Sequence, residues 1–255
     1  MRRTFQYIYL AMIYLCLYIP ILILVVYSFN SSKYSTNWQG FTLQWYTTLF
    51  HNGPLMEAFR NSLVIAFSSS IIATVIGTLA ALAFYRYRFW GRQVMSSFIY
   101  VVMMSPDIVM GISLLMFFII LGAQTGALTL LLAHITFCLP FVVVTVYARI
   151  SGFDRNIIDV AKDLGANEVQ MFWHIMMPMI IPAIIAGWLL SFTLSLDDVI
   201  VSFFTTGPSF EILPLKIYSM VRLGIKPEIN ALSAVMFFLS LLTVTVSHLV
   251  VKENR

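Results

Sequence analysis

The sequence predicts an all-α integral membrane protein with six transmembrane helices. Three observations carry that expectation. The 255 residues are 60% hydrophobic and only 10% charged, and their mean hydropathy of +0.90 lies far above that of a soluble domain. Apolar runs of about 20 residues recur along the chain, each long enough to cross a hydrocarbon core of about 30 Å. Lysine and arginine gather in alternate connecting segments, as they do around membrane spans.

The first span falls at residues 7–29. Arg2 and Arg3 precede it, but the run is too long for a signal h-region and no small-residue cleavage site follows, so no cleaved leader is expected. Residues 30–61 form an external segment rich in Ser, Thr, Asn and Trp, in which the triplet Asn30-Ser31-Ser32 reads as an incidental sequon. The second span, 62–84, carries Ala73, Gly77 and Ala81 four apart, the spacing of a close helix–helix contact. The third, 94–121, is too long for one straight crossing and contains Pro106, so a kink or break is expected there. The fourth, 127–148, holds His134 and Cys138; the fifth, 179–205, holds Asp197 and Asp198; the sixth covers 230–250. The two cysteines, Cys16 and Cys138, both fall within spans and read as small core hydrophobes. The chain thus divides into an N-terminal transmembrane helix with the first periplasmic loop (1–61), a five-helix core (62–250) with one sizeable cytoplasmic loop (149–178), and a short cytoplasmic tail (251–255).

Orientation follows from the basic residues. With the N-terminus inside, the cytoplasmic segments carry Arg2, Arg3, Arg86, Arg88, Arg92, Arg149, Arg155, Lys162, Lys252 and Arg255. The outer ones carry Lys33, Arg60, Lys216, Arg222 and Lys226, so ten of the 15 basic residues lie inside. Both termini are therefore expected in the cytoplasm. The net charge of +4 reflects this bias and does not suggest a nucleic-acid partner. No glycine in the chain precedes a lysine, so no phosphate loop of the G-x-x-x-x-G-K-[ST] type is present. H-E-x-x-H and G-x-S-x-G are likewise missing, and the histidines are scattered at 51, 134, 174 and 248. The chain reads as no enzyme and as holding no cofactor of its own; energy must come from another polypeptide or an ion gradient.

Specific information appears in the loop "RISGFDRNIIDVAKDLGANEVQMFWHIMMPMIIP". Asp154 suits an N-cap, Ile157, Ala161 and Leu164 form an apolar stripe, and Gly165 suits the position after a helix. Asn167 suits the cap of a second short helix with the stripe Val169, Phe172 and Met176, ending before Pro178. Two short amphipathic helices outside the membrane either pack on the ends of the protein's own spans or await a partner. Asp159-Val-Ala161, then Gly165 after three residues, then Ile175-Met-Met-Pro178 after nine more, resembles the E-A-A loop of permease subunits in binding-protein-dependent ABC importers. Three positions depart from that signature: Asp159 for Glu, Val160 for Ala, and Met177 for Leu. "SPDIVMGISLL" (105–115) and "SLDDVIVSFFTTGP" (195–208) are similar to the polyamine branch of these permeases, in particular the second permease subunit of spermidine/putrescine importers.

The resemblance implies the type I importer (MetI-like) permease fold in a bacterial inner membrane, with five core spans shared between two homologous permeases. It implies a second permease subunit and two ATP-binding cassette subunits docked on the cytoplasmic loops, which bind the ATP. It also implies a periplasmic polyamine-binding protein at the outer mouth. Asp159, Ala161, Gly165, Ile175 and Pro178 would then belong to the loop that couples to the ATPases.

The ionisable residues within spans point to the cargo. Asp107, Asp197 and His134 each lie fifteen residues from a span edge marker (Arg92, Pro182 and Arg149), about 22 Å if helical, and so fall near one level. Acids inside a membrane are costly and usually mark a route. Asp198, Asp197 and Asp107, in that order, are the candidate pathway residues. His134 also fits a core histidine bonded to a neighbouring helix, and Asp107 also fits a cap after the Pro106 break. On one continuous helix Asp197 and Asp198 would point about 100° apart, so one would face the pathway and the other a neighbour. Carboxylates favour a multiple cation such as spermidine or putrescine. Phe192, Phe203 and Phe204 nearby could contribute aromatic faces. The alternatives are an ABC permease for another organic cation or a metal chelate, and a proton-coupled secondary transporter, against which stands the lack of an inverted repeat.

Overall fold

The computed structural model describes residues 2–32, 37–153, 157, 160–161, 163–223 and 227–253. The elements are α1 (Arg2–Tyr27), α2 (Gln44–His51), α3 (Gly53–Arg86), α4 (Arg92–Met104), α5 (Asp107–Ile120), α6 (Ala127–Ser151) and α7 (Glu168–Met171). After α7 come a π-helical turn (Phe172–Met176), α8 (Met177–Asp197), α9 (Ile200–Thr205), α10 (Leu213–Leu223) and α11 (Pro227–Glu253). Among the described residues, Phe5–Tyr27, Gly53–Arg86, Ala127–Ser151 and the run Glu168–Asp197 are long and apolar enough to cross a membrane. α4 and α5 form a further, broken pair bent by 113°. The sixth expected span corresponds to α11, whose described apolar part is Pro227–Leu242.

The chain folds as two units, Met1–Glu57 with Lys216–Leu242, and Ala58–Leu215 with Thr243–Arg255. In the first, α1 is apolar on every side and none of its hydrophobic window is buried. Cys16 lies on it and is exposed, so it is no core residue; only Cys138 is buried. A helix apolar all round has no preferred inner face, and lipid or another chain must cover it. The segment after α1 is ordered by the buried Asn30. Its amide donates to the Asn37 carbonyl (2.7 Å) and its Oδ1 accepts from the Gln39 N–H (2.9 Å). The Trp45 indole N–H donates to the Asn30 carbonyl at 2.6 Å. The side chain of Asn30 is thus fully engaged within the fold.

α3 starts at Gly53, nine residues before the expected second span. The reason is local. Asn52 accepts the Leu55 N–H through both its carbonyl (3.2 Å) and its side-chain Oδ1 (3.3 Å), and Pro54 fits the first turn, where its missing N–H costs nothing.

The second unit packs α6 against α8 and α3. Ala81, Phe84, Val142, Val143, Val146, Ile150 and Ile180 form its largest apolar cluster. Val142 is the pivot: a Cβ added at Gly77 of α3 would sit 2.8 Å from its Cβ, and one at Gly187 of α8 would sit 3.5 Å from its Cα. The small-residue stripe of the second span thus brings α3 close to α6, as the spacing predicts. A second cluster joins Phe118 of α5, Ala133 of α6 and Val201 of α9.

Two expected boundaries are corrected. The helix capped by Asn167 does not end before Pro178; it runs through the π turn into α8. Proline cannot donate to the carbonyl four residues back, and the widened turn at Phe172–Met176 shifts the bonding register just where Pro178 would break it. The fifth span, in contrast, is not one helix: it stops at Asp197, Asp198 is extended (φ −65°, ψ 126°), and α9 starts at Ile200.

Gly77→Val should therefore overpack the α3–α6 contact and cost about 1–3 kcal/mol. Gly53→Ala, where an added Cβ meets nothing within 4 Å, should leave stability unchanged. Thermal unfolding of the detergent-solubilised protein compares the two, and equal midpoints would contradict the packing described.

Candidate functional site

The break between α8 and α9 is where the buried polar chemistry converges. No glycine or proline marks it; the Asp198 side chain makes it. Its Oδ1 accepts the Val201 N–H (3.3 Å), and its Oδ2 accepts both the Ser202 N–H (2.8 Å) and the Ser202 hydroxyl (2.8 Å). These are amides at the start of α9 that have no partner within their own helix, so Asp198 acts as its cap. A carboxylate is suited to the positive end of a helix. Asp198 is 8% exposed. The last turn of α8 ends beside it in Asp197, which is exposed.

The network extends inward from Asp198. His134 of α6, wholly buried, places Nε2 at 2.9 Å from Ser202 Oγ and 3.6 Å from Asp198 Oδ2. Its Nδ1 lies 2.6 Å from Ser195 Oγ of α8, and Ser195 Oγ lies 3.0 Å from Ser69 Oγ of α3. One turn further along α6, Cys138 Sγ donates to the Ser191 carbonyl at 3.4 Å. Four helices are thereby tied by hydrogen bonds between buried side chains, where an unmade bond is costly.

The structure brings His134 to Asp198, whereas Asp197 and Asp107 are exposed and take no part in that hydrogen-bond network. Asp107 opens α5 after the Pro106 break and is exposed; it sits in the first turn, where the helix dipole favours a negative charge. The aromatic candidates form no single cluster: Phe203 and Phe204 meet edge to face at 5.4 Å, apart from the Phe192–Trp188 pair. Phe203 is exposed, Phe204 packs at Gly111, and Phe192 stands 6.2 Å from Trp188. Sequence reasoning missed Ser69, Ser195 and Ser202. The signal was there in principle, as three hydroxyls in oil-facing runs, with Ser202 one helical turn beyond an acid.

The 149–178 loop is partly described; Asp154 and Asp159 lie outside the described residues. Gly165 has φ +81°, and the Ala166 N–H bonds the Ala161 carbonyl at 3.0 Å, the longer bond of a Schellman turn. Asn167 and Gln170 form a reciprocal capping box, with bonds of 2.8 and 3.0 Å. Ala161 is buried and Ile175 half-buried, while Pro178 is exposed. Leu164 (83%), Val169 (66%) and Trp173 (58%) stand exposed on the same loop. Arg86, at the end of α3, pairs with Glu168 at 2.6 Å on the rim of a cleft of ≈ 560 Å³ that Arg88, Arg92 and Tyr147 also line. That pair is exposed and contributes at most about 1 kcal/mol.

Three comparisons place the chain among known proteins. Residues 73–252 match the family described as "Binding-protein-dependent transport system inner membrane component". The chain is 56% identical over 246 residues, 96% of its length and 93% of the relative's, to the "Spermidine/putrescine transport system permease protein PotC" of Escherichia coli strain K12. It is 50% identical over 255 residues, 100% of its length and 98% of the relative's, to the protein of that name in Haemophilus influenzae. Its fold matches a chain of the inward-facing MetNI methionine ABC transporter with a TM-score of 0.68 at 15% identity, covering 80% of this chain and 99% of that one.

If Asp198 caps α9, Asp198→Ala should destabilise the protein by about 1 kcal/mol, and Asp198→Asn, which keeps an acceptor, by less. Amide hydrogen exchange at Val201 and Ser202 should rise in the same order. Unchanged exchange in the alanine variant would remove Asp198 from this role.

Proposed function

Because the chain belongs to the binding-protein-dependent transport system inner membrane components, we propose that it is a transmembrane permease subunit of an ATP-driven importer carrying spermidine, putrescine or both from the periplasm to the cytoplasm. The near-full-length similarity to two spermidine/putrescine permeases supports the cargo class. Its partners in this reading are a homologous second permease, two ATP-binding cassette subunits that hold the ATP, and a periplasmic polyamine-binding protein. Both termini face the cytoplasm, in keeping with the basic residues of the inner segments.

One observation carries the site: of two adjacent carboxylates within a span, Asp198 is spent on capping and Asp197 is exposed at the C-terminal end of α8. A helix ends there with unpaired carbonyls and the negative pole of its dipole, and an exposed carboxylate adds a full charge. Broken helices whose C-terminal ends meet a cation recur in transporters. An alkylammonium group losing water on the route finds carbonyl oxygens and a carboxylate at that point. Asp197 therefore ranks ahead of Asp198 as the group that meets the cargo, and Asp107, exposed at the start of α5, is the second such acid.

The 149–178 loop is the contact for the ATPases. Its exposed Leu164, Val169 and Trp173 offer apolar surface, and Gly165 sets the angle between its halves. Asp159, Ala161, Gly165, Ile175 and Pro178 support that contact by position in the motif rather than by touching nucleotide.

Two measurements test the reading. Asp197→Asn keeps volume and should cut uptake of labelled spermidine by the reconstituted complex roughly ten- to hundredfold, the worth of a hydrogen bond to a charged group, with subunit assembly intact. Uptake that proceeds without ATP and follows a proton gradient would instead mark a secondary transporter. At Gly165 an added Cβ meets open space, so the cost of Gly165→Val is backbone strain of about 1–2 kcal/mol. That variant should reach the membrane yet lose co-purifying ATPase, whereas Gly165→Asn, which tolerates the left-handed region, should keep it. Normal ATPase capture by the valine variant would count against the loop's role.

A further inference from the structure

His134 does more than fill its place in the core. Its two ring nitrogens bridge Ser195, in the last turn of α8, and Ser202, in the first turns of α9, so a single buried ring clamps the two sides of the break. Proton accounting gives this clamp a direction. The one hydroxyl proton of Ser202 goes to Asp198 Oδ2, which leaves Ser202 Oγ to accept from Nε2–H of His134. A neutral ring then has a lone pair on Nδ1, which accepts the Ser195 hydroxyl proton; Ser195 Oγ also lies 3.0 Å from Ser69 Oγ, whose own hydroxyl faces the Ala66 carbonyl at 3.3 Å. Donation runs one way, from Ser195 through His134 to Ser202 and the carboxylate, and each bond polarises the next toward Asp198. Asp197 is covalently next to the carboxylate that this chain of bonds orients.

We propose that His134 is a positioning residue for translocation: by holding Ser202 and Asp198 on one side and Ser195 on the other, it fixes the angle of the break and so the direction in which Asp197 meets the moving cation. This rests on the route reading given above. Asp198 caps α9 whichever way the ring is replaced, so losing His134 does not abolish the break; it frees the two half-helices to swing about it. The loss then appears in the passage of the cation and not in the delivery of cargo by the binding protein or in the ATP sites, which lie on other chains.

The side-chain geometry supplies matched variants. A glutamine at 134 carries an amide near the position of Nε2 and can still donate to Ser202; an asparagine reaches only the position of Nδ1 and keeps only the Ser195 side; a leucine keeps neither. The measurement is spermidine imported per ATP hydrolysed by the reconstituted complex in proteoliposomes, with the periplasmic binding protein present, alongside apparent KM and maximal rate. His134→Leu and His134→Asn are expected to lower the import ratio about tenfold through the maximal rate, with KM unchanged, while His134→Gln recovers most of it. A purely structural role would lower the amount of assembled complex, and uptake and ATP hydrolysis would fall together at a constant ratio; that outcome overturns the proposal. So does a wild-type ratio in His134→Leu. Asp197→Asn, measured in parallel, keeps the claims apart: a normal ratio there overturns the route reading itself, whereas a lowered ratio there with a normal one in His134→Leu overturns only the role of His134.

Discussion

A helix interrupted inside a hydrocarbon layer frees amide and carbonyl groups that water cannot reach, and each one left unmatched costs several kcal/mol. The chain meets that demand with the side chain of Asp198, which takes the first amides of α9. Much else follows. A buried carboxylate calls for donors of its own, and the Ser202 hydroxyl, itself held by His134, supplies one. His134 in turn needs Ser195, and Ser195 reaches Ser69 on α3. For four helices to stand near enough to share such short bonds, their backbones must approach closely, which is what the small residues facing Val142 permit. The polar network and the close packing are two sides of one constraint.

What could be read from the sequence was mostly what local backbone chemistry decides. Gly165 in the left-handed region, Asn167 with its capping box, and the break at Pro106 each depend on a few neighbouring residues, and each stands where the pattern places it. The small-residue stripe on α3 belongs with them, because four-residue spacing speaks directly about one helix face. The misreadings share the opposite cause. The run from Ser195 to Phe204 contains no glycine or proline, so its breaker is easily overlooked; the break exists because Asp198 caps the amides three and four residues on, while the pairing of His134 with Ser195 and Ser202 crosses between helices and has no local signal. At Pro178 the local rule was right about the missing donor and wrong about the remedy, since a π turn absorbed the defect without ending the helix. Cys16 was misplaced because apolar sequence alone does not separate a buried helix from one that faces outward on every side.

That outward face belongs to a pattern of surfaces that a single chain leaves open. α1 buries none of its hydrophobic window, the 149–178 loop exposes Leu164, Val169 and Trp173, and the acids at 107 and 197 are exposed although they lie in or beside spans. Isolated apolar side chains on a surface need no explanation, but a whole helix and a loop stripe do. Surfaces of this extent suit a chain that lipid or other chains cover.

The π turn at Phe172–Met176 has a mechanical side. Because it carries the helix past Pro178 without a stop, the segment from Glu168 to Asp197 is one run of 30 residues, with the loop at one end and the exposed acid at the other. At 1.5 Å per residue that run is about 45 Å long, so a tilt of about 5° at the loop moves the far tip by about 4 Å. A continuous helix of this kind is a lever. Its tip sits where α8 gives way to α9. A push on the loop is then carried along the helix to the exposed carboxylate that closes it.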